Sequence, residues 1–179
     1  MPIAKRYNEK KALRKRALVL GGEDTALRVV LKLAELGHPV TFLPYSQALP
    51  GKLALQISRY PDVCMYEQAQ LVSFEGKVGD FVACIRAVSS GQSLIRIRAG
   101  AIVLISKNDA ADVLSGIAGQ LGIALNDYGS VATNQFCPVL TNKSGIFVVG
   151  ESGRPEDPAK ILSLADKAAM MAAYILEPT

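Results

Sequence analysis

The sequence predicts a three-layer α/β domain: a central parallel sheet, helices on one face and an antiparallel β-meander on the other. The stretch Ala17–Leu43 reads ALVLGGEDTALRVVLKLAELGHPVTFL, an apolar strand, a glycine pair, an amphipathic helical pattern and a second apolar strand. Three short runs between 70 and 98 are divided by glycine- and serine-bearing turns, the pattern of a meander. Ala101–Ile105 is wholly apolar, as a strand covered on both faces of a parallel sheet must be.

Each element follows from local chemistry. Strand one is expected over Arg16–Leu20. The helix Asp24–Leu36 places Leu27, Val30, Leu31 and Ala34 on one stripe, with Arg28, Lys32 and Glu35 outside it. Asp24 or Thr25 supplies a start cap, and Gly37 suits the left-handed residue that ends a helix. Strand two, Val40–Leu43, stops at Pro44. The connection Tyr45–Pro61 holds Pro50-Gly51 and a short helix around Leu53–Ser58, and Asp62–Glu67 reads as a strand. The meander runs are Gln70–Glu75, Phe81–Val88 and Ser93–Arg98. After Ala101–Ile105 come a helix over Ala110–Gln120, strands at Ser130–Phe136 and Ile146–Val149, and a closing alanine-rich helix, Asp157–Ile175, that starts near Pro158.

At 179 residues the chain suits one domain, 17–179, preceded by a basic leader, 1–16. Apolar residues make up 50% and charged residues 20%, the composition of a globular protein. Apolar runs stay short of the roughly 18–20 residues that a membrane-spanning helix needs. No secretory signal is visible either, and a cytoplasmic location is expected.

The net charge of +4 is unevenly placed. Residues 1–16 carry Lys5, Arg6, Lys10, Lys11, Arg14, Lys15 and Arg16 against Glu9, a balance of +6 that leaves the body at −2. Such an arm suits an anionic partner or plain solvation. Tyr7 is its one aromatic, and the body has no stacking platform or recognition helix, which argues against nucleic acid.

Cys64, Cys84 and Cys137 are far apart, with no C-x-x-C pair, so neither an iron–sulfur cluster nor a metal site is expected. Their apolar surroundings predict buried, inert thiols. The single histidine, His38, falls at a helix–strand turn, where a capping or surface role fits and triad chemistry does not.

A dinucleotide fingerprint uses glycines for the turn, for phosphate approach and for close helix packing. Aligned on G-x-G-x-x-G, this chain places Gly21, Glu23 and Ala26 in those three slots, with Gly22 between the first two. Alanine serves in the third slot. Glu23 brings a side chain and a negative charge to the second. The acidic residue that would end strand two and hold a ribose is replaced by Pro44.

Near the C-terminus, Gly145-Ile-Phe-Val-Val-Gly150-Glu151 and the small-residue helix after it resemble the second signature of two-dinucleotide-domain flavoproteins. More narrowly, Ala17–Leu43, Arg59–Arg86 and Leu121–Gly150 resemble the flavoprotein subunit of heterodisulfide reductase. The last stretch, LGIALNDYGSVATNQFCPVLTNKSGIFVVG, is the most specific. The resemblance implies a Rossmann-like FAD/NAD(P)-binding domain in which Gly21, Gly22, Glu23, Ala26, Gly150 and Glu151 line an FAD site. The helix from Pro158 would point its positive end at the isoalloxazine. It also implies other protein subunits of a redox complex as partners. The chain departs from the family in lacking its cysteine clusters and inserted nicotinamide-nucleotide domain, and in following Ile105 with Ser106-Lys107. Two readings result: a cofactor-poor accessory subunit of a redox complex, or a small FAD-binding electron-transfer flavoprotein.

Overall fold

The computed structural model describes residues 16–45, 51–87, 91, 93–106, 111–150 and 156–177, with the side chains of 23, 53, 54 and 111–113 excepted. Chain order runs β1 (Ala17–Gly21), α1 (Glu23–Glu35), β2 (Val40–Pro44), α2 (Gly51–Ile57) and β3 (Val63–Met65). The meander β4 (Ala69–Lys77), β5 (Asp80–Ala87) and β6 (Leu94–Ala99) follows. Then come β7 (Ala101–Ser106), α3 (Ala111–Leu121), β8 (Ile146–Gly150) and α4 (Pro158–Leu176).

The large sheet has the order β3-β2-β1-β7-β8, and every pairing in it is parallel. Strand alternation sorts its side chains into two clusters. Ala17, Val19, Val40, Phe42, Ala101, Val103, Ile105, Phe147 and Val149 face α1 and α4. Leu18, Leu20, Leu43, Ile102, Leu104, Ile146 and Val148 face the other way, onto Phe81, Ala83, Ile85, Ile97 and Ala99 of the meander. The expected three-layer Rossmann-like domain is therefore present. Helix α3 shares the meander's cluster through Leu114, Ala118 and Leu121.

Local expectations hold with specific adjustments. On α1, Leu27 and Val30 are buried as expected, but Leu31 and Ala34 are only half-buried. Ala26, Val29 and Leu33 complete the buried face, because α1 packs against α4 as well as the sheet. Its N-cap is Gly22, with no side-chain hydrogen bond, in place of the expected Asp24 or Thr25. Gly37 does take the left-handed conformation, φ +83°. The His38 N–H donates to Leu33 O at 3.1 Å and closes that helix end.

The strand expected at Ser130–Phe136 does not form. Only Val131 bridges, to Leu125. The side-chain oxygens of Asn126 and Asn134 accept the Ser130 and Phe136 amides at the two ends of that stretch, while the Ala132 and Asn134 amides donate to Ala124 O and Leu140 O within the loop. Residues after this loop shield the sheet edge: Val148 N–H donates to Val139 O at 3.0 Å, and Leu140 bridges Phe147.

The thiols are also not where apolar context put them. Cys64 is exposed on edge strand β3, and Cys84 and Cys137 are half-buried. Cys84 lies on the outward face of β5, opposite the core-facing Ala83 and Ile85. Among the described residues no helix is long and apolar enough to cross a membrane.

Candidate functional site

Because all five strands of the large sheet run the same way, their C-terminal ends line one edge of the domain. Ligands of open α/β sheets bind at that edge. Gly21 and Pro44 meet there in register across β1 and β2, and Ser106 and Gly150 across β7 and β8. Helix α1 opens there at Glu23, directly after the Gly22 cap.

The glycines are there for different steric reasons. A Cβ on Gly21 would be driven into the Ile105 side chain, and the Ala26 Cβ stands 3.4 Å from the same point. Gly21 and Ala26 thus let α1 lie close to β1 and β7, the packing part of a glycine fingerprint. A Cβ on Gly22 would meet nothing nearer than the Tyr45 Cβ at 3.9 Å. Gly150 has φ +143°, and a Cβ there would strike the Ser106 carbonyl. So Gly21, Gly22 and Ala26 gather at the β1–α1 turn, while Gly150 lies on the same edge with β7 between. Glu151 lies outside the described residues, and Glu23 is placed through its backbone at the first position of α1.

Sequence reasoning passed over Tyr45. Its backbone N–H donates to Gly21 O at 2.9 Å, pinning the end of β2 to the glycine turn. Its ring packs into the meander-side cluster. The hydroxyl is shut from solvent and has no hydrogen-bond partner among the described residues. Burial pushes the phenol above its ordinary value of 10.0. No periodic signal marks such a residue, since it follows a strand-ending proline inside a connection.

Beside Gly150 lies a cavity of about 100 Å³, lined by Ser106, Thr133, Pro138, Glu156, Lys160 and Leu164 among others. Glu156 and Lys160 face each other at 2.7 Å at the entrance to α4. Asp157 caps that helix, its carboxylate accepting the Ala159 N–H at 3.0 Å. Thr133 and Pro138 come from the loop that sequence read partly as a strand, so the wall they form was not foreseeable. Among the described residues no group of three His, Cys, Asp or Glu side chains is placed to hold a metal ion.

Comparison with known proteins places this geometry in context. No family model matches the chain. An iron–sulfur subunit of the CoB–CoM heterodisulfide reductase of Methanopyrus kandleri is 27% identical across 39% of this chain. That match spans 14% of the relative's length. Among solved structures, THI4 of Thermovibrio ammonificans superposes with a TM-score of 0.61 at 13% identity, covering 96% of this chain and 93% of that one. HlmI gives 0.60 at 13% identity, with coverage of 90% and 92%. An oxidoreductase from Agrobacterium tumefaciens gives 0.56 at 14% identity, with coverage of 89% and 96%. At such identities the likeness is one of fold, and the fold is the expected three-layer Rossmann-like one.

Proposed function

We propose that this chain is a flavoprotein-derived accessory subunit of a heterodisulfide-reductase-like redox complex, with a nucleotide site too altered to hold FAD tightly. The observation that carries this reading is Pro44. It stands in register with Gly21 at the end of β2, where a ribose would need an acidic acceptor, and offers neither a polar side chain nor an N–H. Glu23, the first residue of α1, puts an acidic residue type in the slot where the fingerprint has its phosphate-approach glycine.

The packing glycines and the fold survive because they hold the domain together whatever it binds. The complex is suggested by the relative, whose name is that of a component of a reductase. The basic leader of residues 1–16 would serve there as a docking arm for an acidic partner. The second reading, a small FAD-dependent electron carrier, is favoured by the close approach of Gly21 and Ala26 and by Gly150, where any side chain would strike the Ser106 carbonyl. Under it Gly21, Gly22 and Gly150 would line the cofactor.

An absorbance spectrum separates the two. The chain purified without added cofactor, and again after incubation with FAD and gel filtration, should be colourless in the flavin bands. Flavin retained near one per chain would overturn the accessory reading in favour of the electron carrier. Combining Glu23→Gly with Pro44→Glu should tighten FAD binding at least about tenfold, as one restored charged hydrogen bond of ~1.5–3 kcal/mol predicts.

A further inference from the structure

Helix α4 carries a second feature of a different kind on its outer face. Its inward face is Ala165, Ala168, Ala169, Ala172, Ala173 and Leu176, buried against α1 and the sheet. The face turned away from the sheet carries Ser163, Lys167, Met170 and Tyr174, and then the C-cap Glu177, all exposed. Met170 is 59% and Tyr174 80% exposed, large apolar groups for a surface helix. An apolar groove of about 630 Å³ runs alongside, walled by Leu140, Phe147, Met170, Met171, Tyr174 and Ile175.

The charges on this helix are not equivalent. Asp166 is held by Arg28 of α1 through two hydrogen bonds of 2.9 and 3.0 Å, and Lys160 is held by Glu156. Asp157 is engaged in capping. Lys167 and Glu177 have no ion-pair partner among the described residues. They stand equally far from Ala172, one on each side, about 15 Å apart along the helix rise. Met170 and Tyr174 stand equally far from the same point, inside them.

We infer that this face is the interface of a two-fold homodimer in which α4 packs antiparallel on the α4 of a second copy. A two-fold axis level with Ala172 sets Lys167 against the Glu177 of the second copy, and Met170 against its Tyr174. Both contacts then occur twice, as an isologous interface requires. Charge complementarity along one helix thus selects this chain itself as the occupant. A face with an apolar centre and charged ends of opposite sign is self-complementary only when the helices run antiparallel. Each groove accepts the Met170 and Tyr174 side chains of the other copy, and methionine adapts its shape to such a contact. The inference stands apart from the nucleotide site and holds whether or not FAD binds.

Sedimentation equilibrium on the full chain tests it. Wild type should show a concentration-dependent monomer–dimer equilibrium. Lys167→Glu and Glu177→Lys, each alone, turn two attractions into two repulsions and should weaken dimerisation by about tenfold. The double exchange Lys167→Glu/Glu177→Lys should restore it, as should mixing the two single variants. A chain that is monomeric at every concentration overturns the inference, and so do single variants that dimerise like wild type. Monomers whose groove binds an apolar anionic dye, with binding lost in Tyr174→Lys, would overturn it in favour of a small apolar ligand.

Discussion

Two adjacent glycines at the same turn have opposite tolerances. Gly21 faces Ile105 with no room for a methyl group, whereas Gly22 has 3.9 Å of clearance. Gly21→Ala should therefore cost roughly 1–3 kcal/mol of overpacking, measured by chemical denaturation, while Gly22→Ala should change stability far less. Tyr45 offers a second test at this scale. Its buried hydroxyl lacks a partner among the described residues, so Tyr45→Phe should raise stability by about 1 kcal/mol. The phenol's value is raised in the folded state by burial, so its titration costs no stability below the ordinary 10.0. Above that, the unfolded chain ionises first and stability falls as the pH climbs. Denaturation curves from neutral to alkaline pH should show this loss in wild type and less of it in Tyr45→Phe.

Between elements, the contact most open to test joins α1 to α4. Alanines on α4 let the two helices approach closely, and Arg28 reaches Asp166 over the rim, donating from Nε and Nη2 to the two carboxylate oxygens. The hydrogen bond from Arg28 holds the Asp166 carboxyl below its ordinary value. Stability from this pair is present above the ordinary carboxyl value and disappears as the pH falls through the lowered one. Asp166→Asn should thus lower the melting temperature slightly at neutral pH and leave it unchanged in strong acid. The pair is partly exposed, 52% and 33% at the two side chains, which keeps its contribution small. The loop from 122 to 145 makes the complementary point. Asparagine side chains divert its amides from a ladder, and the Lys143 amine donates to Leu121 O at 3.0 Å to finish α3. Such long-range caps leave no periodic trace.

For the molecule as a whole, the sheet sets up two separate surfaces. One is the edge where the strands end, where Gly21 meets Pro44 in register and α1 opens at Glu23. The other is the outer face of α4, whose charges mirror each other about Ala172. Flavin absorbance tests the first and sedimentation the second, and neither result prejudges the other.

The sequence by itself determined the parallel sheet, the meander and the order of all elements but the strand expected at 130–136, because alternation, helical periodicity and glycine turns are local signals. It also put Glu23 and Pro44 in the slots where a dinucleotide fingerprint has a glycine and an acid, since both depend only on spacing. Tertiary structure alone decided the rest. The buried face of α1 depends on α4 coming from the far end of the chain. Gly21 is obligatory because of Ile105, far along the sequence, and at 130–136 asparagine side chains and loop carbonyls take the amides that a strand would pair. The Tyr45 hydroxyl is shut from water by packing that no window of sequence contains. Local patterns fix what a segment can become, and contacts between distant segments decide which side chains a site receives.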